Sequence, residues 1–297
     1  MGFPSGTPPY LFLPAARIAT SHWITTDMKR HLVSATVLTL AAAVALTGCS
    51  ASAGNDDAAA GTDDSLSSVL ESGTLTIGTE GTYKPFSFHA DGSGELTGYD
   101  VEVARAVADE LGVKAKFEET QWDAIFAGLG SGRFDTIANQ VSITPERVDA
   151  YAFSTPYTYS TGVIVVPADN TSVTSFADLA GKTTAQSLTS NWYTLATESG
   201  ATVQAVEGWA QSVALVEDGR VDATVNDKLT FLDYKKNTGA AGLKIAAETE
   251  DRSESAFAFA PEGTALASAV SDALATLTEN GTLAAISDSY FGADVSQ

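Results

Sequence analysis

The sequence predicts an α/β protein built from two similar lobes. From Gly73 onward, short β-type runs alternate with amphipathic helical stretches, which is the pattern of an α/β fold. One segment also occurs twice, because Gly-Arg-Phe-Asp-Thr-Ile-Ala-Asn at 132–139 is echoed by Gly-Arg-Val-Asp-Ala-Thr-Val-Asn at 219–226, 87 positions later. Two similar units predict two similar lobes, although Gly-Arg-x-Asp is also a common turn between a helix and a strand.

The composition indicates a globular chain and excludes several classes of protein. With 297 residues, 44% of them hydrophobic, the chain can bury a sizeable core. A formal net charge of −21 repels phosphate groups, so no nucleic-acid partner is expected. Cys49 is the single cysteine, and of three histidines only His89 follows the N-terminal targeting segment. We therefore predict no metal site, no His-dependent catalytic triad and no cofactor.

The N-terminal segment predicts a secretory signal that ends at a lipidated cysteine. A basic stretch at 29–31 precedes an uncharged apolar run at 32–46, which is shorter than the about 20 residues of a membrane span. The run ends in Leu-Thr-Gly-Cys at 46–49, which resembles a bacterial lipobox. This resemblance implies a lipid on Cys49, with an incidental small residue as the alternative.

Three segments follow from this interpretation. Met28 stands directly before the basic stretch, so we predict that residues 1–27 are a misannotated upstream extension and that 28–48 is the lipoprotein signal peptide. Residues 49–67 are predicted to form a flexible tether, because this stretch is rich in small and polar residues.

The first half of the globular part shows its elements in order. Residues 74–77 predict a strand, and 101–111 predict a helix because apolar residues recur there at four-residue spacing. Residues 122–129 predict another helix, which glycines follow, and 134–138 predict the next strand.

Polar residues at two strand ends predict a shared cleft. Ligands of open α/β sheets bind beyond the carboxyl ends of the strands. If the lobes face each other, Asn139 and Gln140 on one side and Asn226 and Asp227 on the other flank the same cleft.

A short helix start predicts an anion site. In the segment 142–147, Thr144 suits the N-cap and Pro145 the first helical position, which puts Arg147 in the first turn. A guanidinium beside free backbone N–H groups suits a carboxylate, because each charge-assisted hydrogen bond contributes about 1.5–3 kcal/mol. The alternative for Arg147 is a surface ion pair with an acidic neighbour.

Asp227 supplies the opposite charge in the second half. A cation at one wall and an anion at the other suit a zwitterion, and the aromatic rings of Tyr83 and Trp122 could sandwich its aliphatic part. Ordinary core packing is the alternative for both rings.

The motifs resemble the polar amino-acid-binding proteins of bacterial ABC importers, the extracellular solute-binding proteins of family 3. The resemblance covers roughly 68–292, and its motifs are Gly-Tyr-Asp-Val-Glu-Val at 98–103, Gly-Thr-Glu-Gly-Thr-Tyr-Lys-Pro-Phe at 78–86, Ser-Ile-Thr-Pro-Glu-Arg at 142–147 and Phe-Ser-Thr-Pro-Tyr at 153–157.

The resemblance implies a two-lobed, periplasmic-binding-protein-like fold of type II with two crossover hinge strands. Lobe 1 is expected at 68–160 and 257–297, and lobe 2 at 161–256. The chain would enter lobe 2 through 163–166 and leave it through 257–259.

The same resemblance implies roles for individual residues. Arg147 would bind the ligand α-carboxylate, assisted by Ser142 and Asn191, while Asp227 would bind the α-ammonium group. Tyr83 and Trp122 would stack on the ligand. Glu80 would contact the ligand side chain, or else be a solvated loop carboxylate. The predicted ligand-binding set is Glu80, Tyr83, Trp122, Asn139, Gln140, Ser142, Arg147, Ser187, Asn191 and Asp227.

Some residues depart from the usual family pattern and bear on the ligand. Thr-Ser-Asn at 189–191 stands where relatives commonly have Gly-Thr-Thr, and Asn-Gln-Val-Ser at 139–142 replaces the usual small residues. Together with Asn-Asp-Lys-Leu at 226–229, these residues look most like the cystine-binding subgroup.

The expected function is therefore that of a substrate-binding lipoprotein of an ABC importer. It would capture a polar amino acid, with cystine as the best match, and deliver it to the permease as a monomer anchored outside the cytoplasm. The alternative is an enzyme on the same fold, such as a dehydratase-like lyase. That alternative requires an acid or base, for which Glu80 is the candidate.

Overall fold

The computed structural model describes residues 63–297. The upstream extension, the signal peptide, Cys49 and the tether up to residue 62 lie outside the described residues. Within the described part, no helix combines the length and apolar character needed to cross a membrane.

The described chain alternates helices and strands. The helices are α1 Ser65–Ser72, α2 Tyr99–Glu110, α3 Trp122–Gly130, α4 Pro145–Val148, α5 Asn191–Glu198, α6 Trp209–Glu217, α7 Lys228–Thr238, α8 Thr264–Glu279 and α9 Thr282–Phe291. The strands are β1 Thr74–Thr79, β2 Thr82–Tyr83, β3 Ser87–His89, β4 Leu96–Thr97, β5 Lys114–Glu119, β6 Thr136–Ser142, β7 Ala152–Phe153, β8 Thr158–Pro167, β9 Thr183–Gln186, β10 Thr202–Ala205, β11 Thr224–Asp227 and β12 Leu243–Phe259.

Two long strands run through both lobes. The main sheet has the order β11-β8-β12-β6-β1-β5, with β7 beside β12, and β8 is antiparallel to β12. In lobe 1, β1 is parallel to both β5 and β6. In lobe 2, β9 and β10 are parallel, and a bridge between Thr184 and Ala223 brings β9 beside β11. The two predicted crossover strands are therefore β8 and β12.

The crossings lie slightly before the predicted hinge segments. Residues 163–166 already pair with β11 and β12 inside lobe 2, and Ala258 and Phe259 pair with β7 inside lobe 1. The register of β12 against β8 shifts between Glu248 and Arg252. This stretch separates the part of β12 that pairs with β8 in lobe 2 from the part that pairs with β8 near lobe 1.

Each lobe buries apolar side chains on both faces of its sheet. In lobe 1, one core joins β1 to helices α2 and α8, and a second lies under α3 around Ile125 and Phe134. In lobe 2, one core lies under α6 and α7 around Phe231, and a second lies near α5 around Leu179. Helices on both faces of a sheet are the layered arrangement expected of an α/β fold.

The internal repeat predicted from the sequence has the same structure in both copies. The carboxylate of Asp135 accepts a hydrogen bond of 2.7 Å from the backbone N–H of Thr76, and that of Asp222 accepts one of 2.8 Å from Thr183. The backbone N–H of each aspartate also donates to the carbonyl of the same threonine. Each copy therefore fastens a helix-to-strand turn to the neighbouring strand.

The predicted first strand is present as the longer β1, and the two predicted helices are present as α2 and α3. The strand predicted at 134–138 begins at Thr136 instead. Phe134 precedes the strand, and its ring packs against Gly78 and Gly128, where a Cβ atom would overlap it.

The predicted tether ends earlier than residue 67. Helix α1 begins at Ser65 and buries Val69 against lobe 1. The carboxylate of Asp63 accepts hydrogen bonds from the hydroxyl of Thr264 and the backbone N–H of Ala265 at the start of α8. These contacts order a stretch whose composition alone predicts flexibility.

Candidate functional site

A cavity of about 360 Å³ lies between the two lobes. Lobe 1 lines it with the residues that follow β1, with β2, with the start of α3 and with the middle of β6. Lobe 2 lines it with the residues after β9, the starts of α5 and α6, and β11. The predicted residues that line the cavity are Glu80, Tyr83, Trp122, Asn139, Gln140, Ser187 and Asn191.

Glu80 is held at the cavity wall by Asn139. The side-chain amide of Asn139 donates a 2.6 Å hydrogen bond to the carboxylate of Glu80, and its carbonyl accepts one of 2.9 Å from the Glu80 backbone N–H. Burial raises the pKa of Glu80 to about 7, although the Asn139 hydrogen bond opposes the shift. Glu80 is therefore a fixed carboxylate in the cavity, not a solvated loop side chain.

Gln140 is positioned by a buried carboxylate of the Gly-Tyr-Asp segment. Asp100 accepts hydrogen bonds of 2.8 Å from the Gln140 backbone N–H and 2.6 Å from its side-chain Nε2. Gln140 has a φ of +50°, a backbone conformation that residues other than glycine rarely adopt. Burial raises the pKa of Asp100 to about 7.

Hydrogen bonds join the two lobes across the cavity. The hydroxyl of Tyr83 in lobe 1 donates to Asn226, at 2.9 Å, and accepts from Thr230, at 3.0 Å, both in lobe 2. Asp123 in lobe 1 accepts from both the backbone N–H and the hydroxyl of Thr189 in lobe 2. The lobes are therefore closed on each other in this structure.

Arg147 is a buried cation next to the cavity, but it does not line it. Its guanidinium lies 5.4 Å from the centre of the Trp122 ring and 5.3 Å from that of Phe126. It donates to the backbone carbonyls of Ser142 and Thr189. Burial lowers the pKa of Arg147 to about 10.

The ion pairs formed within residues 63–297 do not include Arg147. The alternative of a surface ion pair is therefore wrong. As predicted, Thr144 caps the short helix α4, and its hydroxyl oxygen accepts from the Arg147 backbone N–H.

Two further predicted residues do not line this cavity. Ser142 lies at the end of β6 and borders a second hollow of about 710 Å³ instead. The carboxylate of Asp227 accepts 2.8 Å hydrogen bonds from the Leu229 backbone N–H and the Ser160 hydroxyl, and so caps helix α7. Adjacent side chains of a strand point to opposite faces, and Asn226, which precedes Asp227 in β11, lines the cavity.

The sequence interpretation missed several cavity residues, and Gln186, Glu207 and Trp209 are the main ones. The repeat could have revealed Trp209, because it follows Trp122 by the same 87 positions and begins the equivalent helix. Gln186 had no such signal.

The charges of the cavity are acidic. Glu80 and Glu207 are the charged side chains among the described residues that line it. No group of histidine, cysteine, aspartate or glutamate side chains within residues 63–297 is arranged to hold a metal ion. The polar and aromatic lining suits a small organic ligand that carries a positive charge.

Residues 75–293 match the model of the bacterial extracellular solute-binding proteins, family 3. The chain belongs to this family. This solute-binding protein is 51% identical, over 77% of its length and 89% of the relative's, to a probable amino-acid ABC transporter-binding protein of Haemophilus influenzae. It is 47% identical, over 91% of its length and 100% of the relative's, to the L-cystine-binding protein TcyA of Bacillus subtilis.

A solved structure is also similar to this solute-binding protein. The L-cystine solute receptor of Neisseria gonorrhoeae, in its unliganded open conformation, is 45% identical over 78% of this chain and 99% of the receptor, with a TM-score of 0.54. The two-lobed fold predicted from the sequence is confirmed.

The family and these relatives decide between the two predicted functions. They are solute-binding proteins and not enzymes, so the lyase alternative is not supported. As a member of an extracellular family, this solute-binding protein acts outside the cytoplasm.

Proposed function

We propose that this solute-binding protein captures L-cystine in the cavity between its lobes and delivers it to the permease of an ABC importer. The similarity to proteins named as L-cystine binders supports this ligand. Cystine is two amino acids joined by a disulfide, so it carries two ammonium groups and two carboxylates.

The two cavity carboxylates support a ligand with two ammonium groups. Glu80 comes from lobe 1 and Glu207 from lobe 2, so a ligand that reaches both would bridge the lobes. An ammonium group next to Glu80 would stabilise its ionised form and offset the burial that raises its pKa. Asp227 does not line the cavity, so we assign the direct contacts to the ammonium groups to Glu80 and Glu207 instead.

The aromatic side chains support a ligand that contains sulfur. Tyr83 and Trp122 from lobe 1, and Trp192 and Trp209 from lobe 2, line the cavity. Sulfur atoms make favourable contacts with aromatic rings, of about 0.3–1.5 kcal/mol each. The disulfide of cystine offers two sulfur atoms for such contacts.

Arg147 is the proposed partner of a ligand carboxylate. Its guanidinium is buried, lies 5.4 Å from the centre of the Trp122 ring and hydrogen-bonds to neutral carbonyl oxygens. A carboxylate that entered from the cavity would replace the carbonyl of Thr189 as acceptor and become the missing counter-ion. The proposed role of Asn191 and Ser187 is to complete the polar wall of lobe 2, where both line the cavity.

Substitution of Arg147 tests this function. Arg147→Ala should raise the Kd for L-cystine at least roughly 100-fold, because charge-assisted hydrogen bonds of about 1.5–3 kcal/mol each are lost. The measurement is isothermal titration calorimetry, with Arg133→Ala as the control, because Arg133 is a half-exposed arginine outside the cavity. A Kd for Arg147→Ala within threefold of the wild-type value would contradict the assignment.

The membrane anchor and the oligomeric state belong to the proposed function. We propose that a lipid on Cys49 anchors a monomer to the outer side of the membrane. Cys49→Ser should move the protein from the membrane fraction to the soluble fraction, and light scattering should give the mass of one chain. A membrane-bound Cys49→Ser protein or a dimer mass would contradict this part.

A further inference from the structure

Three polar atoms of cavity-lining side chains are buried without a hydrogen-bond partner. They are Trp122 Nε1, Gln140 Oε1 and Gln186 Nε2. Buried polar groups in folded proteins almost always have a partner, so each unpaired atom requires an explanation. Their common location in the lining indicates that the ligand supplies the missing partners.

Of the three residues that carry these unpaired atoms, Gln186 belongs to lobe 2. It is the last residue of β9, and its side chain is 3% exposed. Its Oε1 accepts a 2.9 Å hydrogen bond from the hydroxyl of Thr184, which is fully buried two residues earlier on the same face of the strand. Because Oε1 is occupied, the group of Gln186 left without a partner is Nε2.

The chemistry of Nε2 restricts what it can bind. An amide –NH₂ only donates hydrogen bonds, so it needs an acceptor on the ligand. The ammonium group of an amino acid is a donor only, and sulfur is a weak acceptor. Among the groups of cystine, the carboxylates are therefore the acceptors that suit Gln186.

We propose that Gln186 binds the ligand, its Nε2 donating a hydrogen bond to a carboxylate oxygen, and that Thr184 is a positioning residue that orients the amide. This inference rests on the proposed function, in which the cavity binds an amino acid. Gln186 then supplies a contact from lobe 2 to a ligand that Trp122 and Gln140 contact from lobe 1. A ligand held from both lobes favours the closed form.

Two substitutions of Gln186 test the contact. Gln186→Met keeps the length of the side chain and removes the donor, so the Kd should rise about 10- to 100-fold, the equivalent of a lost hydrogen bond to a charged group. Gln186→Glu should raise the Kd further, because it puts a second carboxylate beside that of the ligand. Thr184→Val removes the hydroxyl at constant shape and should give a smaller rise, of about threefold to tenfold.

The melting temperature of the ligand-free protein separates a ligand contact from a structural role. Gln186→Met also removes the acceptor of the buried Thr184 hydroxyl, so the melting temperature is compared between Thr184→Val and the double variant Thr184→Val/Gln186→Met. Because Nε2 has no partner in the protein, the double variant should melt no lower than Thr184→Val. Gln204→Met is the matched control, since Gln204 is an exposed glutamine on the neighbouring strand β10, and its Kd should equal that of wild type.

The titrations use L-cystine first and then the other amino acids, and the variants are compared on the one that wild type binds most tightly. A Kd for Gln186→Met within threefold of wild type would overturn the inference. So would a ligand-free melting temperature of Thr184→Val/Gln186→Met clearly below that of Thr184→Val, which would assign Gln186 to the support of lobe 2. A tighter Kd for Gln186→Glu than for Gln186→Met would also overturn it, because Gln186 would then bind the ammonium group. A wild-type protein that binds no amino acid would instead refute the proposed function, and this inference with it.

Discussion

Three buried carboxyl groups in and near the site, those of Glu80 and Asp100 in lobe 1 and of Asp227 in lobe 2, share one electrostatic property. Burial raises the pKa of Glu80 and of Asp100 to about 7 and that of Asp227 to about 6. In the unfolded chain such groups ionise near pH 4. Between these pH values the folded protein binds more protons than the unfolded chain does, so its stability falls as the pH rises. The ligand-free protein is therefore expected to be more stable in mild acid than at neutral pH.

Glu80→Gln tests this property at one residue. Glutamine keeps the shape and can still accept the hydrogen bond from Asn139, but it cannot ionise. We expect the free energy of unfolding of the ligand-free variant to fall less than that of wild type between pH 4.5 and about 7. Urea unfolding at several pH values measures it, and Glu71→Gln on the exposed side of α1 is the control. Identical pH profiles for Glu80→Gln and wild type would contradict a buried, proton-binding Glu80.

The sequence predicted some of the individual residues that line the cavity. Asn139 and Gln140, which the sequence places at the end of a strand, line the cavity from the middle of the longer strand β6. Asp227 is also at a strand end, but its carboxylate caps the next helix. The choice between a cap and a ligand contact depends on the side-chain rotamer, and sequence spacing does not determine the rotamer.

The same helix-to-strand turn occurs once in each lobe. Asp135 and Asp222 each bind the backbone of a threonine on the neighbouring strand, Thr76 and Thr183 respectively. The equivalent helices α3 and α6 each begin with a tryptophan that lines the cavity.

Paired substitutions test whether the two copies do the same work. Asp135→Ala and Asp222→Ala should each lower the free energy of unfolding by about 1 kcal/mol, because each removes a hydrogen bond between a side chain and the backbone of a strand. Urea unfolding measures the loss, with Asp109→Ala, at an exposed position of α2, as the control. A loss in one lobe and none in the other would contradict the equivalence of the copies.

The elements were more predictable than their boundaries. The helices α2 and α3 were predicted within a few residues, because apolar residues recur there at helical spacing. The start of the folded part was predicted at residue 68, later than helix α1 begins, because Asp63 and Val69 gain their contacts from α8 and the lobe-1 core, far away in the sequence. Long-range contacts of this kind leave no local pattern in the sequence.

Lobe closure is the property of the whole molecule on which delivery to a permease would depend. Closure around a ligand is a hinge motion, here between lobes joined by β8 and β12. In this structure the hydroxyl of Tyr83 forms hydrogen bonds to two residues of lobe 2. Each such bond contributes about 1 kcal/mol to the closed state.

Tyr83→Phe tests the contribution of these bonds to closure. The variant keeps the ring in the cavity but loses both hydrogen bonds, so the ligand-free protein should open more often. Small-angle scattering should give a larger radius of gyration than that of ligand-free wild type, and the difference should vanish when ligand is bound. Tyr234→Phe is the control, because the Tyr234 hydroxyl bonds to Glu217 within lobe 2. Equal radii for ligand-free Tyr83→Phe and wild type would contradict a role of Tyr83 in closure.

Binding of L-cystine is tested most directly by a thermal-shift measurement on the purified protein, first unfolded and refolded to remove any bound ligand. L-cystine and each of the other amino acids are added in turn. A ligand that binds only the folded state stabilises it by about 2.7 kcal/mol at a hundredfold excess over its Kd, and so raises the melting temperature. We predict the largest rise with L-cystine. A larger rise with another amino acid would refute cystine as the ligand, and no rise with any amino acid would contradict amino-acid binding itself.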